Sequence, residues 1–272
     1  MDKSTKKVAI LGTGNIGSAI AEGMISSKQF KAEDIFITRR NAGLLAPFTK
    51  KGFKTGTDNL VAVKNSEVII IAVTPQQLDG LLNEIKKVLD VKKHILISIV
   101  SGASIKEIKE RIGKNVPVVR AMPNTAIAIK ESMTCIASDA SVNVLDIAKS
   151  IFNSVGQTMV IDEALIGPAT ALCACGIAFF LRAIRAASQG GIEIGFHSED
   201  ALLMAAQTAK GAASLLTKGL SHPEKEIDKV TTPMGITISG LNQMEHNGFS
   251  SAMIKGIVTS AEKAAKIYSS KK

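Results

Sequence analysis

Four stretches of the chain hold residues whose types and spacing suit chemistry on a dinucleotide and a small anion. The first is Gly12-Thr13-Gly14-Asn15-Ile16-Gly17, directly behind the apolar run Val8-Ala9-Ile10-Leu11 and ahead of Ala19, Ile20 and Met24. Glycine at 12 permits a tight turn, at 14 a close approach of backbone to a pyrophosphate, and at 17 close packing of helix on strand. The pyrophosphate then rests on a helix N-terminus, where free N–H groups and the helix dipole favour an anion. The second stretch is Ile37-Thr38-Arg39-Arg40-Asn41. An NAD enzyme places Asp or Glu here to bind the ribose 2′-hydroxyl. This chain has Thr38, Arg39 and Arg40 instead, and forked guanidinium donors suit a 2′-phosphate. The cofactor expected is NADPH, ahead of NADH.

The third stretch comprises two segments, Ala72-Val73-Thr74-Pro75-Gln76 and Arg120-Ala121-Met122-Pro123-Asn124-Thr125, each at the end of a strand-like run. Ligands of open parallel sheets bind outside the carboxyl ends of the strands. Ala72, Val73, Thr74, Pro75, Met122, Pro123 and Asn124 are therefore expected to face the cofactor. The fourth is the hydroxyl-rich turn Thr231-Thr232-Pro233-Met234-Gly235-Ile236-Thr237, which leads into a helix. Free N–H groups with several threonine hydroxyls suit a carboxylate; an ordinary helix cap explains the same pattern.

Positioning these segments requires an alternating α/β scaffold. The runs Val8–Leu11, Ile35–Thr38, Val68–Val73, His94–Ile99 and Val116–Met122 are continuously apolar, as in strands buried on both faces of a parallel sheet. Further strands are predicted at Met133–Ala137 and Thr158–Ile161. Helical patterns at Ile16–Ser27, Asn41–Lys51, Gln76–Leu89, Ser104–Arg111 and Val142–Val155 lie between them. From Leu165 the texture becomes helical throughout, with helices predicted at Ala169–Glu193, Ser198–Thr217, Thr237–Glu245 and Ser250–Tyr268 and a loop around His222-Pro223. The reading is an α/β fold: an N-terminal Rossmann domain over 1–163, doubly wound and mostly parallel, then an all-helical domain over 164–272.

The net charge is +9, but the basic residues occur as dispersed pairs and aromatics for stacking are scarce, so nucleic acid is not an expected partner. Three cysteines fit a reducing cytoplasm and no signal peptide is read at the start. Ala164–Leu181 lacks formal charge, yet Gly167, Pro168, Thr170 and Gly176 argue against a membrane span. A buried central helix, covered by a second subunit, is the expectation. His94, His197, His222 and His246 are scattered without ligand spacing and are read as loop or surface residues. Cys173-Ala174-Cys175 has no partner ligands nearby, so no metal site is expected.

Taken in order, the segments resemble the pyrroline-5-carboxylate reductase family over nearly the whole chain. Ala205-Ala206-Gln207-Thr208 with Gly211-Ala212-Ala213 is similar to its "AAQTxxGAA" helix. His222-Pro223 and Asp228 through Ile238, followed by Gly240-Leu241, resemble "HPxxLkDxVtSPGGTTIxGL". Arg120–Thr125 resembles "RxMPNTP" and Ala72–Gln76 resembles "AVKPQ". The resemblance implies NADPH-dependent reduction of a cyclic imine carboxylate to L-proline, and Asn59 near the adenosine ribose. It also implies that Thr231, Thr232, Met234, Gly235, Ile236 and Thr237 hold the substrate carboxylate. Thr237 would hydrogen-bond the ring nitrogen, and the helical domain would self-associate. This chain departs from the family pattern at Cys173–Phe179 (family "SGSGPAY"), at Thr74, Thr232, Met234 and Ala126. A reductase of another cyclic imine and a relative that binds NADPH without turnover are the alternatives. The 3-hydroxyacid and 6-phosphogluconate dehydrogenases share the layout but use a lysine in the long helix, and no Lys occurs between Ala164 and Thr208.

Overall fold

The computed structural model describes residues 6–269, with side chains as far as residue 265. The chain divides into two compact units. One holds the residues up to Ala174 and again those from Ala261; the other is Cys175–Ser260.

In chain order the first unit contains β1 (Val8–Leu11), α1 (Asn15–Ser26), β2 (Ile35–Thr38), α2 (Ala46–Lys50), β3 (Lys54–Gly56), α3 (Asn59–Lys64), β4 (Val68–Ile71) and α4 (Pro75–Ile85). It continues with β5 (Ile95–Ser98), α5 (Ile105–Ile112), β6 (Val118–Met122), β7 (Ser132–Ser138), α6 (Val142–Asn153), β8 (Gly156–Val160) and α7 (Ile166–Ala169). The strands form one eight-stranded sheet in the order β3-β2-β1-β4-β5-β6-β7-β8. Every pairing is parallel except β6 with β7.

The continuous apolar runs are explained by the two faces. Along β1, Val8 and Ile10 enter one core with Ile20, Met24 and Phe152, whereas Ala9 and Leu11 enter the other with Ile69, Ile71, Leu82 and Ile85. All four β1 residues are fully buried. Each such large side chain contributes about 1.5–3 kcal/mol, so no position in the strand tolerates a polar residue. Helix α5 is set by a capping box: Ser104 Oγ accepts from the Glu107 amide at 3.1 Å while the Glu107 carboxylate accepts from the Ser104 N–H at 2.7 Å. The Ser104 N–H, with the Ser104 hydroxyl that donates to the same carboxylate oxygen at 2.8 Å, holds the Glu107 carboxyl below its usual pKa. Arg120 of β6, itself buried, donates to Glu163 at 3.1 Å, and the same carboxylate oxygen accepts from the Ile105 N–H at 2.6 Å.

Several local expectations change. Lys54–Gly56 and Asn59–Lys64 form β3 and α3, neither of which the sequence pattern announced. The helix expected over Asn41–Lys51 is a 3₁₀ turn, Ala42–Leu45, followed by the short α2, with Pro47 in its first turn. His94, expected in a loop or at the surface, is only 3% exposed. Its Nδ1 accepts from the Asp90 N–H at 2.8 Å and its Nε2 lies 3.2 Å from the Val63 carbonyl. Burial and the neighbouring Lys93 charge push its pKa below the ordinary value.

The second unit is helical: α8 (Gly176–Glu193), α9 (Ser198–Gly219), α10 (Pro223–Lys229), α11 (Ile236–His246) and the greater part of α12 (Phe249–Ser269). Residues 170–175, just ahead of α8, form a π-turn. The loop expected at His222-Pro223 is the start of α10, whose first turn is capped by the His222 ring accepting from the Glu224 N–H at 3.3 Å. Helices α8 and α9 pack together, leaving an apolar groove of about 750 Å³ lined by Phe180, Ile184, Phe196, Met204 and Ala205 among others. The central helix, expected to be buried under a second subunit, leaves an apolar face uncovered within the single chain. Within the single chain, Phe180 is 61% and Leu203 71% exposed. The helix from Glu163 to Glu193 is long and apolar enough to cross a membrane by length and composition.

Candidate active site

The glycine loop is built by contacts that admit no side chain. Gly12 has φ +96°, and a Cβ there would lie 2.6 Å from the Ala72 carbonyl oxygen. A Cβ on Gly17 would lie 2.3 Å from the Gly12 carbonyl oxygen, so α1 can sit tight against β1 only with glycine at this position. Gly14 differs: a Cβ there would meet nothing within 4 Å. Gly14 caps α1 from an extended conformation and is exposed, and the first turn of α1 carries no acidic residue. The result is an open, uncompensated helix N-terminus, a site for an anion.

The loop is tied to the end of β2. Thr13, buried, donates its hydroxyl to the Thr38 carbonyl at 2.7 Å, and the Gly12 N–H donates to the same oxygen at 3.2 Å. Arg39 Nη1 donates back to the Thr13 carbonyl at 2.7 Å. Thr38 Oγ1 donates to Asn59 Oδ1 at 2.7 Å, and Asn59 Nδ2 donates to Glu84 Oε2 at 3.1 Å. Arg40 is exposed and faces the Gln77 amide, which also lies against the Thr74 N–H. Thr74 and Gln77 form the capping box that opens α4.

These elements enclose a groove of about 660 Å³. Of the residues singled out in the sequence, Gly12, Thr13, Gly14, Thr38, Arg39, Arg40, Asn59, Ala72, Val73 and Thr74 line it. Asn15, Ile16 and Gly17 stand in the first turn of α1, and Pro75 is the first residue of α4. Met122, Pro123 and Asn124 do not line the groove: they are buried at the end of β6. The Asn124 amide is fully engaged, accepting from the Ala126 N–H at 3.0 Å and donating to the Cys173 carbonyl at 3.1 Å. The sequence reading missed Asn41, Leu44, Thr57, Gln77, Leu81 and Glu84, which also line the groove. Gln77, Leu81 and Glu84 recur at helical spacing on one face of α4, a signal that becomes readable once Thr74 is placed at its cap.

In the second unit, Thr231 donates its hydroxyl to the Ile227 carbonyl at 2.6 Å, closing α10. The Gly235 N–H donates to the Thr232 carbonyl at 2.9 Å, and a Cβ on Gly235 would lie 2.5 Å from Thr232 Oγ1. Gly235 caps α11, so the first turn of that helix begins at Ile236 and Thr237. Met234 has φ +56° and is wholly exposed; Ile236 is 93% exposed. The left-handed conformation costs a non-glycine residue roughly 1–2 kcal/mol. Strained backbone of this kind clusters at active sites, ligand clamps and switch regions. Among the described residues, no three His, Cys, Asp or Glu side chains gather as a metal site would need.

Comparison with known proteins adds the following. Residues 163–267 match the family model for pyrroline-5-carboxylate reductase dimerisation, and residues 7–102 match that for NADP oxidoreductase, coenzyme F420-dependent. Pyrroline-5-carboxylate reductase 1 of Dictyostelium discoideum is 57% identical over 97% of the chain, and the chain spans 50% of that relative's length. Pyrroline-5-carboxylate reductase 2 of the same organism is 49% identical over 97% of the chain and 94% of its own length. The crystal structure of Plasmodium falciparum pyrroline carboxylate reductase with NADP bound superposes with a TM-score of 0.85. It is 26% identical, with 97% of this chain and 98% of that one covered.

Proposed function

This chain belongs to the pyrroline-5-carboxylate reductase family, a family of NAD(P)-dependent oxidoreductases, and from that premise we propose how its residues reduce the cyclic imine to L-proline with NADPH. The observation that carries the proposal is the open N-terminus of α1 at Gly14, with Arg39 and Arg40 at the rim of the same groove. Gly14, Asn15 and Ile16 would hold the pyrophosphate on their free N–H groups. The guanidinium of Arg40, exposed at the groove, takes the 2′-phosphate, and Arg39 holds the loop through Thr13. The match to an NADP oxidoreductase model and the NADP in the Plasmodium falciparum enzyme support the cofactor class.

When bound, NADPH would supply the hydride for the imine carbon. The turn Thr231, Thr232, Met234, Gly235, Ile236 and Thr237 receives the substrate carboxylate on the free N–H groups that open α11. Thr237 hydrogen-bonds the ring nitrogen and stabilises the proton it gains. Met122, Pro123 and Asn124 act at the nicotinamide end through the backbone that Asn124 braces. The exposed apolar groove between α8 and α9 is covered by a second copy of the chain, in keeping with the dimerisation match. Three free thiols support a cytoplasmic setting.

Met234 favours a second reading, reduction of a different cyclic imine, because it places a bulky side chain where the family pattern has glycine. Consumption of NADPH by the purified protein with pyrroline-5-carboxylate, with proline identified as product, is the expected result. Tight NADPH binding without turnover on this substrate, but with turnover on another cyclic imine, would establish the second reading.

A further inference from the structure

The cysteine that stood without partners in the sequence has one in space. Cys173, in the π-turn at 170–175, places its Sγ 4.0 Å from the Sγ of Cys135 on β7. The two are 38 residues apart in the chain. They share a small apolar cluster with Met122, Ala137, Ile166 and Ala169. Cys135 is only 4% exposed, whereas Cys173 is partly open. Nothing separates the two sulfurs, which are in van der Waals contact. Side-chain rotation has to close that gap to the roughly 2.05 Å of a disulfide. The carbonyl of Cys173 also receives the Asn124 amide at 3.1 Å, so the pair lies where β6, β7 and the start of the long helix meet.

We propose that Cys135 and Cys173 are a reversible, peroxide-sensitive disulfide pair. In the first step the Cys173 thiolate attacks one oxygen of a peroxide and the O–O bond breaks. Hydrogen peroxide leaves as hydroxide and is reduced, while the Cys173 sulfur is oxidised to a sulfenic acid. In the second step the Cys135 sulfur attacks the Cys173 sulfur. The S–S bond forms, the S–O bond breaks, and the hydroxide lost takes up the Cys135 thiol proton as water. A dithiol reductant reverses the link by exchange. Cys173, the less buried residue of the two, takes the first attack in this scheme, and Cys135 resolves it. Acidity agrees. The hydrogen bond shared by the two sulfurs holds Cys173 down to about 7 and pushes Cys135 up. In a reducing compartment such a pair is a transient, sensing one.

The test is peptide mapping of the folded enzyme after brief hydrogen peroxide treatment, with free thiols blocked by N-ethylmaleimide before unfolding. Trypsin cuts after Lys130, Lys149 and Arg182, so Cys135 falls in 131–149, and Cys173 and Cys175 fall together in 150–182. The expected product is these two peptides joined, with titratable thiols falling from three to one and dithiothreitol restoring all three. The link persists in Cys175→Ser, where only Cys173 can supply the second sulfur. In Cys135→Ser the same dose carries Cys173 onward to sulfinic acid. A link confined to Cys173 and Cys175 that vanishes in Cys175→Ser would overturn the proposal. So would three thiols still titrating at a peroxide dose that consumes free cysteine.

Discussion

Arg39 and Arg40 stand side by side in sequence, but the structure gives them different work, and single substitutions should separate them. Arg40 is exposed, and apart from the Gln77 amide its guanidinium is available to a ligand. A charge-assisted hydrogen bond contributes about 1.5–3 kcal/mol. An exposed side chain belongs at the low end, because water screens it. At 1.4 kcal/mol per tenfold, Arg40→Ala should weaken NADPH binding roughly tenfold and leave NADH within about twofold. Arg39 already donates to the Thr13 carbonyl, beside Gly14. Arg39→Ala removes that brace from the pyrophosphate loop, so both cofactors should weaken together. The assay is fluorescence titration of NADPH and NADH against wild type and each variant at one fixed ionic strength. If Arg40→Ala weakens both cofactors equally, the guanidinium does not read the 2′-phosphate and the assignment of NADPH loses its basis.

Thr237→Ala should lower turnover by roughly 10²–10⁴ on the scale of a lost proton donor, with cofactor affinity unchanged; steady-state kinetics at saturating NADPH would show it, and unaltered turnover would remove Thr237 from the reaction. His94 is buried with its pKa held below the ordinary 6.5. Its neutral form is the folded one, so its contribution is complete above pH 6.5. As pH falls from there toward the lowered folded value, the unfolded chain takes the proton first and stability is lost, by at most about 1.4 kcal/mol per pH unit. Denaturant midpoints measured across that window should fall for wild type and flatten in His94→Gln.

The sequence was most informative where one residue type alone satisfies the geometry. Gly12 and Gly17 are read correctly from spacing because each sits where a Cβ would meet backbone. Strands β1 and β4 are legible because every position faces a core, which leaves an uninterrupted apolar run. The same logic explains what escaped. Strand β3 is three residues long at the sheet edge and only partly covered, so it leaves no apolar run to notice. Helix α10 is polar nearly all round, and its start rests on a histidine ring serving as the cap. Glu84 and Gln77 reach the groove from the last and first turns of α4, and only tertiary structure reveals where those turns point. Met234 was legible as bulk in place of glycine, but its left-handed backbone was not, since φ is set by the turn around it.

The uncovered face of α8 and α9 makes the molecule's thermodynamics second order. A unit that leaves Phe180, Leu203 and Leu215 half or more in water has withheld part of its hydrophobic free energy from the single chain. That energy is recovered only by mass action with whatever covers the face, so dilution acts on this fold as a mild denaturant. No single unfolding free energy then belongs to the sequence: the quantity exists only together with a statement of how much protein is present.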